Sequence, residues 1–337
     1  MSWYHVPGKE QDVAVCTQVF FFRNLAGYPF SHRLDAGKAR EILRAVGSVL
    51  EKNGFLATDF ADVSRSAAQS LVEKRFISPY FTRESIPHAL FLNDPCNLTV
   101  MVCEREHVSV QCILSGFSPE DAFEGASKAE SLLDESLDLA FDERFGYLTA
   151  DPSRLGCAME ASVILSLPLL TEAGRIGFLA DAASRAGFTL TAALGHSYPA
   201  RGSLYRLAGR IPLGITEEEG ITALSRLAER IIGAERLARD DIAGERLAGL
   251  MDRVFRAEGV LRFAHRLPVA EMVDLFALLR VGAAMGMSKS IQVECLTALL
   301  TEAMPATLTL GVEPPPKLES ERDILRAKTV RERLFGA

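Results

Sequence analysis

Apolar residues alternate with polar ones, or run continuously, in four stretches of the first third of the chain, and both patterns are typical of β-strands. The stretches are DVAVCTQVFFF (12–22), HALFLN (88–93), LTVMVCE (98–104) and HVSVQCIL (107–114). The last two are joined through the charged tip EREH, which predicts an antiparallel hairpin with Arg105 at or beside its turn. Further along, FTLTAAL and SLYRLAG predict two more strands on either side of the loop GHSYPARG.

Helical periodicity dominates the remainder of the chain. It predicts helices within residues 118–141, 172–187, 216–255, 269–282, 289–303 and 321–334. The segment 216–255 begins with acidic residues and carries arginines further along, an order that the helix dipole favours. Because the predicted strands stop near residue 210, we expect an α+β fold: an antiparallel sheet flanked by helices, then an all-helical C-terminal domain.

Composition narrows the classes of function. The chain has 337 residues and a net charge of −7, without a long block of one sign, which disfavours sequence-independent binding to nucleic acid. It has neither a basic N-terminal segment followed by an apolar stretch nor an apolar run long enough to span a bilayer, so we expect a cytoplasmic protein and no membrane partner. Its six cysteines form no CxxC pair and do not cluster with histidines, which predicts free thiols and no metal site.

Two charged motifs remain as candidate sites, because the chain has neither a phosphate-binding glycine loop nor a GxSxG motif. The first is the hairpin tip EREH, for which a solvated turn is the simpler interpretation. The second is RDILRA near the C-terminus, where Arg322 and Arg326 share one helical face with Asp323 beside them. Two guanidinium groups so placed can bind a phosphate or a carboxylate, but an ordinary charged helix face has the same pattern.

Longer motifs give these candidates a context. FFRNLAGYPF, LVEKRFISPYF, VCEREHVSVQC, FGYLTADPSRLG, ASVILSLPLL and RGSLYRLAGRIPLGITEEE occur in this order along the chain. Together they resemble the ATP:guanido phosphotransferase superfamily and, more narrowly, its bacterial protein arginine kinases. The resemblance extends from about residue 3 to the C-terminus and implies a phosphagen-kinase-like fold.

The family transfers a phosphoryl group from ATP to a guanidinium nitrogen, so its site needs arginines for the phosphates and carboxylates for the guanidinium. The chain keeps several residues of the family pattern: Arg23, Asn24, Glu104, Glu106 and His107. At the positions that the resemblance implies for ATP-binding arginines it has Gln18, Phe20, Ser109, Glu160 and Thr191. At the positions that the resemblance implies for two catalytic glutamates it has Arg105 and His196, and at the position implied for a reactive cysteine it has Asp151.

All eight of these positions differ from the family pattern, and several differ in the sign of their charge. Replacing one proton-transferring group costs about two to four orders of magnitude in rate, so the sequence predicts a pseudokinase without an intact catalytic or ATP-binding set. We expect no cofactor. An active kinase, which would use ATP and Mg²⁺, is the alternative. Arg105 is predicted to pair with a carboxylate such as Glu160 or Asp151.

The C-terminal motif follows the family pattern instead. The resemblance implies that RDxxRA forms a phosphoarginine pocket separate from the active site, and Arg322, Asp323, Arg326 and Ala327 are all present. The two arginines would bind the phosphoryl oxygens, while Asp323 would accept from the guanidinium of the ligand. A role of the motif in packing remains the alternative.

We therefore predict a catalytic-like domain at residues 10–245 and a helical, phosphoarginine-binding-like domain at 246–337. The expected partners are phosphoarginine or an arginine-phosphorylated protein and an active protein arginine kinase paralogue, in a homo- or hetero-oligomer that serves protein quality control. A purely structural subunit of a kinase complex is a third hypothesis.

Overall fold

The computed structural model describes residues 2–93, 97–194, 201–288 and 291–336. Ten strands lie within these residues: β1 (Ala14–Arg23), β2 (Leu56–Asp59), β3 (Ala89–Leu92), β4 (Leu98–Val102), β5 (Val108–Ser115), β6 (Phe141–Asp142), β7 (Gly146–Tyr147), β8 (Met159–Ser166), β9 (Thr189–Ala192) and β10 (Leu204–Arg210).

Eight of the described strands form one antiparallel sheet in the order β2-β3-β4-β5-β1-β8-β10-β9, and β6 pairs with β7 separately. The predicted hairpin is confirmed, since β4 pairs with β5 and Val102 lies opposite Val108. The sequence did not predict β8, although it lies between β1 and β10. All its residues except Glu160 are buried, so it lacks the alternation of a strand that has one solvated face.

Eleven α-helices lie within the described residues: α1 (Ala36–Lys52), α2 (Arg65–Glu73), α3 (Pro119–Asp134), α4 (Pro168–Glu172), α5 (Ile176–Arg185), α6 (Glu217–Asp240), α7 (Gly244–Phe263), α8 (Val269–Ala284), α9 (Val293–Glu302), α10 (Pro305–Thr309) and α11 (Glu319–Phe335). The last described strand ends at Arg210, and α6 to α11 follow it. The predicted α+β class with a helical C-terminal region is confirmed.

The helices α1, α3 and α6 cover one face of the sheet. The Asp35 carboxylate caps α1 by accepting from the Lys38 amide at 2.9 Å. The buried stripe of this helix recurs every three or four residues and packs into the core beneath β1, β4 and β5. The opposite face of the sheet, towards α2, α9 and α10, remains open enough to hold a cavity.

The segment 216–255, which the sequence predicted as one amphipathic stretch, is divided between two helices. Thr216 and Glu219 form a capping box at the start of α6. After α6 ends, Ile242 packs into a hydrophobic core that includes residues of α7, α8 and α9, and it is 6% exposed. Gly244 has a φ of +57°, a conformation that glycine adopts without strain, so α7 starts in a new direction.

The N-terminal residues connect the sheet to the helical region. The carboxylate of Asp12 accepts hydrogen bonds from Arg236 at 2.6 and 3.1 Å and from Arg239 at 2.6 Å. The fully buried Arg280 of α8 donates to the Gln11 carbonyl and to the hydroxyl of Thr297 on α9. Elements far apart in sequence thus share buried charged contacts. The domain boundaries at 245 and 246 stay a prediction.

No helix in the described part of the chain combines the length and apolar character needed to cross a membrane. The five described cysteines are free thiols: Cys16, Cys103, Cys112, Cys157 and Cys295. Cys96 lies outside the described residues. Burial raises the pKa of Cys16 to about 11 and that of Cys112 to about 12, so these two thiols are protonated and unreactive near neutral pH.

Candidate active-site cleft

A cavity of about 1280 Å³ lies between the open face of the sheet and the helices α2, α9 and α10. Its floor includes Gln18, Phe20 and Phe22 of β1, and the rings of the two phenylalanines are parallel with centroids 6.1 Å apart. Its charged lining consists of Arg65, Arg75, Arg105, Arg154, Arg206, Arg322, Glu73, Glu104 and Glu160. Although the chain as a whole is acidic, arginines outnumber carboxylates here by two to one.

Glu104 lies in the turn that joins β4 to β5 and is 5% exposed. Its carboxylate accepts hydrogen bonds from the hydroxyl of Ser78 and, at 3.5 Å, from that of Ser109. Burial raises the pKa of the Glu104 carboxyl group, and the Ser78 hydrogen bond and the charges of Arg105 and Arg154 only partly oppose this. Glu104 is therefore a desolvated acid at the edge of the cavity.

Glu106 and His107 instead hold the hairpin in place. Glu106 is fully buried and accepts from the Asn24 side chain at 2.6 Å and from the Ala150 amide at 2.9 Å. The Nδ1 atom of His107 accepts from the Leu25 amide, so its Nε2–H donates to the Pro29 carbonyl. Burial lowers the pKa of His107, which favours the neutral ring. These family-like residues thus have structural roles here.

The predicted ion pair of Arg105 is wrong. The exposed Arg105 side chain stacks on Tyr80, with its guanidinium carbon 3.4 Å from the ring centroid. The two carboxylates expected to pair with it bind other arginines, as Glu160 contacts Arg206 and Asp151 contacts Arg210. The flat guanidinium group of Arg105 gains a cation–π contact with Tyr80 while it stays exposed to solvent.

Glu160 lies within reach of three arginines. It accepts a hydrogen bond from Arg206 at 2.6 Å, and Arg154 and Arg210 each have a nitrogen 3.9 Å from its Oε2. Arg154 also stacks on Phe22, with its guanidinium carbon 4.1 Å from the ring centroid. The β-register explains part of this cluster, because Arg210 lies directly opposite Glu160 in the β8–β10 pair.

The structure brings together only part of the predicted catalytic and ATP-binding positions. Gln18, Phe20, Arg105 and Glu160 line the cavity, and Ser109 is buried beneath Glu104. Asp151 lies beside the cluster through Arg210, and Thr191 is exposed on the edge strand β9, opposite Arg206. His196 lies outside the described residues. Arg23 is buried and donates to Glu130 at 2.6 Å and to two backbone carbonyls, so it belongs to the core.

Sequence reasoning missed the arginines that line the cavity at positions other than the expected ones: Arg65, Arg75, Arg154 and Arg206. The signal was an arginine inside the apolar strand SLYRLAG. One charged residue in a strand does not reveal which strands flank it, however, and so it does not reveal which carboxylate it faces. The loss of cations predicted from Gln18 and Phe20 is therefore partly offset by arginines from other elements.

The residues of the RDILRA motif lie in two different environments, a buried one and the wall of the cavity. Arg326 is 1% exposed and donates to the carbonyls of Ala303 and Leu267 and to the Asp323 carboxylate at 2.8, 2.8 and 2.5 Å. Ala327 is buried beside it. Arg322 is half-buried and lines the same cavity as Glu104 and Glu160. Asp323 and Arg326 thus bind one another and the backbone, and a phosphoarginine site formed by the whole motif stays a prediction.

Comparisons with known sequences agree with this architecture. Residues 39–238 match the family model of the ATP:guanido phosphotransferase C-terminal catalytic domain, and residues 248–337 match that of the protein-arginine kinase McsB C-terminal domain. A protein-arginine kinase of Pelotomaculum thermopropionicum is 32% identical over 338 residues, which cover 98% of this chain and 94% of the relative. One of Desulforamulus reducens is 33% identical and covers 99% and 95%.

Solved structures show the same fold at lower identity. A duplicated taurocyamine kinase from Schistosoma mansoni has a TM-score of 0.62 at 20% identity; the match covers 77% of this chain and 38% of that longer one. A lombricine kinase has a TM-score of 0.61 at 16% identity, with 70% of each chain covered. From the two family models and the nearly full-length relatives, the chain belongs to the protein-arginine kinases of the ATP:guanido phosphotransferase family.

Proposed function

We propose that this chain is a catalytically silent protein-arginine kinase homologue that recognises phosphoarginine, or a partner kinase, in protein quality control. The observation that carries the proposal is the environment of Glu160. At the position for which the resemblance implies a phosphate-binding arginine, a carboxylate is held by Arg154, Arg206 and Arg210. An anion fixed on that wall opposes the approach of a nucleotide triphosphate.

The hairpin supports the same proposal. A guanidinium acceptor needs a carboxylate to orient it and take its proton, but Arg105 places a positive charge at the position implied for one catalytic glutamate. The positions implied for ATP-binding arginines carry no positive side chain, and Arg154 and Arg206 already contact carboxylates. The described residues therefore do not match the set that the resemblance implies for ATP.

An active protein-arginine kinase is the second candidate, and the names of the curated relatives favour it over the silent one. Glu104 is the feature of the cleft that suits this role. It faces the cavity, and burial raises the pKa of its carboxyl group, which makes the carboxylate a stronger base. In this case Arg75 and Arg206 would replace the cations that the strand β1 lacks.

Phosphoryl transfer separates the two candidates. The purified chain is incubated with Mg²⁺ and γ-labelled ATP and a protein rich in arginine, with the Pelotomaculum relative as positive control. The silent proposal predicts label no higher than in an enzyme-free reaction. Label that is lost in a Glu104→Gln variant would instead establish the kinase and refute the proposal.

Phosphoarginine recognition is tested by calorimetric titration with the free compound. We expect saturable binding that weakens about tenfold or more in Arg322→Ala, because a charge-assisted hydrogen bond is lost. Arg331→Ala, on the same helix α11, is the matched control. No binding by the wild-type chain, together with a stable complex with a partner kinase, would favour the third hypothesis of a purely structural subunit.

A further inference from the structure

The side chains around Glu160 form a small, well-defined cluster at the wall of the cavity. Arg206 and Arg210 lie on the same face of β10, with Ala208 between them. Arg154 reaches the same point from the short 3₁₀ turn Pro152–Arg154. The Glu160 carboxylate is the group on which all three guanidinium groups converge.

The charges in this cluster are balanced. In addition to their contacts with Glu160, two of the arginines contact a second carboxylate. Arg210 lies 3.3 Å from Asp151, and Arg154 lies 3.9 Å from the buried Glu106. Three guanidinium groups thus share three carboxylates. If the Glu160 charge is removed, three cations face two anions at a site where Arg154 is only 8% exposed. An external anion would restore the balance.

The donors of the cluster are only partly used. Arg206 makes a direct hydrogen bond to Glu160, whereas Arg154 and Arg210 stay at 3.9 Å from its Oε2, beyond hydrogen-bond distance. The Nε–H of Arg154 is buried and has no hydrogen-bond partner among the described residues. A carboxylate has two oxygens, but a tetrahedral oxyanion has four and reaches more of these donors. The spare donors therefore favour a phosphate-like ligand over a carboxylate.

We propose that Arg154, Arg206 and Arg210 form an oxyanion site whose resident anion is the Glu160 carboxylate. In the native chain this carboxylate excludes external anions. When its charge is removed, the site takes inorganic phosphate. The inference rests on the proposed silent function and deepens it, because it identifies the group that keeps phosphoryl ligands off this wall of the cleft.

The test is a calorimetric titration with inorganic phosphate, at ionic strength held constant with chloride, of the wild-type chain and Glu160→Gln. We expect phosphate to bind Glu160→Gln about tenfold to a hundredfold more tightly than the wild type, the range expected for one or two new charge-assisted hydrogen bonds. Adding Arg206→Gln to this variant is expected to abolish the gain.

A matched control removes one negative charge elsewhere. Glu172 pairs with Arg253 at 2.7 Å, both side chains being about two-fifths exposed, so Glu172→Gln changes the net charge equally without touching the cleft. Equal phosphate affinity of Glu160→Gln and Glu172→Gln would overturn the proposal. A gain that survives Arg206→Gln would overturn it as well.

The proposal can still be tested if Glu160→Gln does not fold. Glu160→Ser serves as a second variant with a smaller side chain. If neither variant folds without phosphate, refolding is titrated with phosphate against chloride at equal ionic strength. Recovery with phosphate alone supports the site, and no recovery refutes it. These readouts use no ATP and no phosphoarginine, so their failure is distinguishable from failure of the proposed function.

Discussion

Arg326 provides a sharp test of how the C-terminal motif works. Its guanidinium group is buried at the junction of α11 with the end of α9 and the residues before α8, where it donates to the carbonyls of Ala303 and Leu267 and to Asp323. We predict that Arg326→Ala destabilises the helical region strongly, so that any loss of phosphoarginine binding in this variant reports unfolding of the site.

The magnitude follows from the groups left behind. Truncating Arg326 leaves two buried carbonyl oxygens without a donor, and each costs about 1 to 3 kcal/mol. It also leaves Asp323, whose side chain is 14% exposed, without its cation. Removing one partner of a buried charge pair costs about 3 to 5 kcal/mol. We therefore expect Arg326→Ala to lower the free energy of unfolding by about 3 to 5 kcal/mol.

The assay is chemical denaturation followed by circular dichroism. Arg322→Ala is the control because Arg322 is half-buried on the cavity wall, and its truncation is expected to change the free energy of unfolding by about 0.5 kcal/mol or less. A loss of less than about 1 kcal/mol in Arg326→Ala would refute the structural role inferred for this arginine. A test of phosphoarginine binding should therefore use Arg322 alone and not a double variant with Arg326.

Three other substitutions test carboxylates that accept hydrogen bonds from backbone amides, each by denaturation. Burial raises the pKa of Glu235 to about 6 from its ordinary value of 4.5, so the folded chain binds this proton more tightly than the unfolded chain does. The resulting stabilisation of the folded state is about 2 kcal/mol. It is present below pH 4.5 and is lost as the pH rises to about 6. Glu235→Gln should lack that slope. Glu73→Ala removes the acceptor for the Ala306 and Thr307 amides and should cost about 1 to 2 kcal/mol. Glu106→Ala leaves two buried donors unpaired and should cost about 2 to 4 kcal/mol.

Each of these predictions has an outcome that would contradict it. Identical pH profiles for the wild type and Glu235→Gln between pH 4.5 and 6 would mean that the folded and unfolded states bind this proton equally. For Glu73, unchanged stability would show that the N-terminus of α10 is satisfied by solvent. A Glu106→Ala chain as stable as the wild type would mean that the hairpin does not depend on the Asn24 contact.

The hairpin shows how far sequence reasoning reached and where it stopped. Two alternating runs joined by EREH were enough to predict β4, β5 and the turn, because a short connection leaves an antiparallel pair as the simplest geometry. The carboxylate partner predicted for Arg105 was wrong, because the contacts of a side chain in a turn depend on elements that are distant in sequence. The contact is made instead by Tyr80, which precedes Arg105 by 25 residues.

The strand β8 shows the same limit for the core. Its run of buried residues has no period that distinguishes a central strand from a buried helix segment, so the sequence left it unassigned. Only the pairing of β8 with β1 and β10 makes its structure evident, and the same pairing places Glu160 opposite Arg210.

The sequence by itself determined the class of the fold, the family and the identity of the residues at each motif position, because periodicity and ordered motifs are properties of the chain alone. The tertiary structure decided which of those residues meet. It placed Arg154, Arg206 and Arg210 around Glu160, buried Arg326 against backbone carbonyls and left Arg322 on the wall of the cavity. The physical reason is that charge pairing and desolvation depend on distances and burial, which arise only when distant segments pack together.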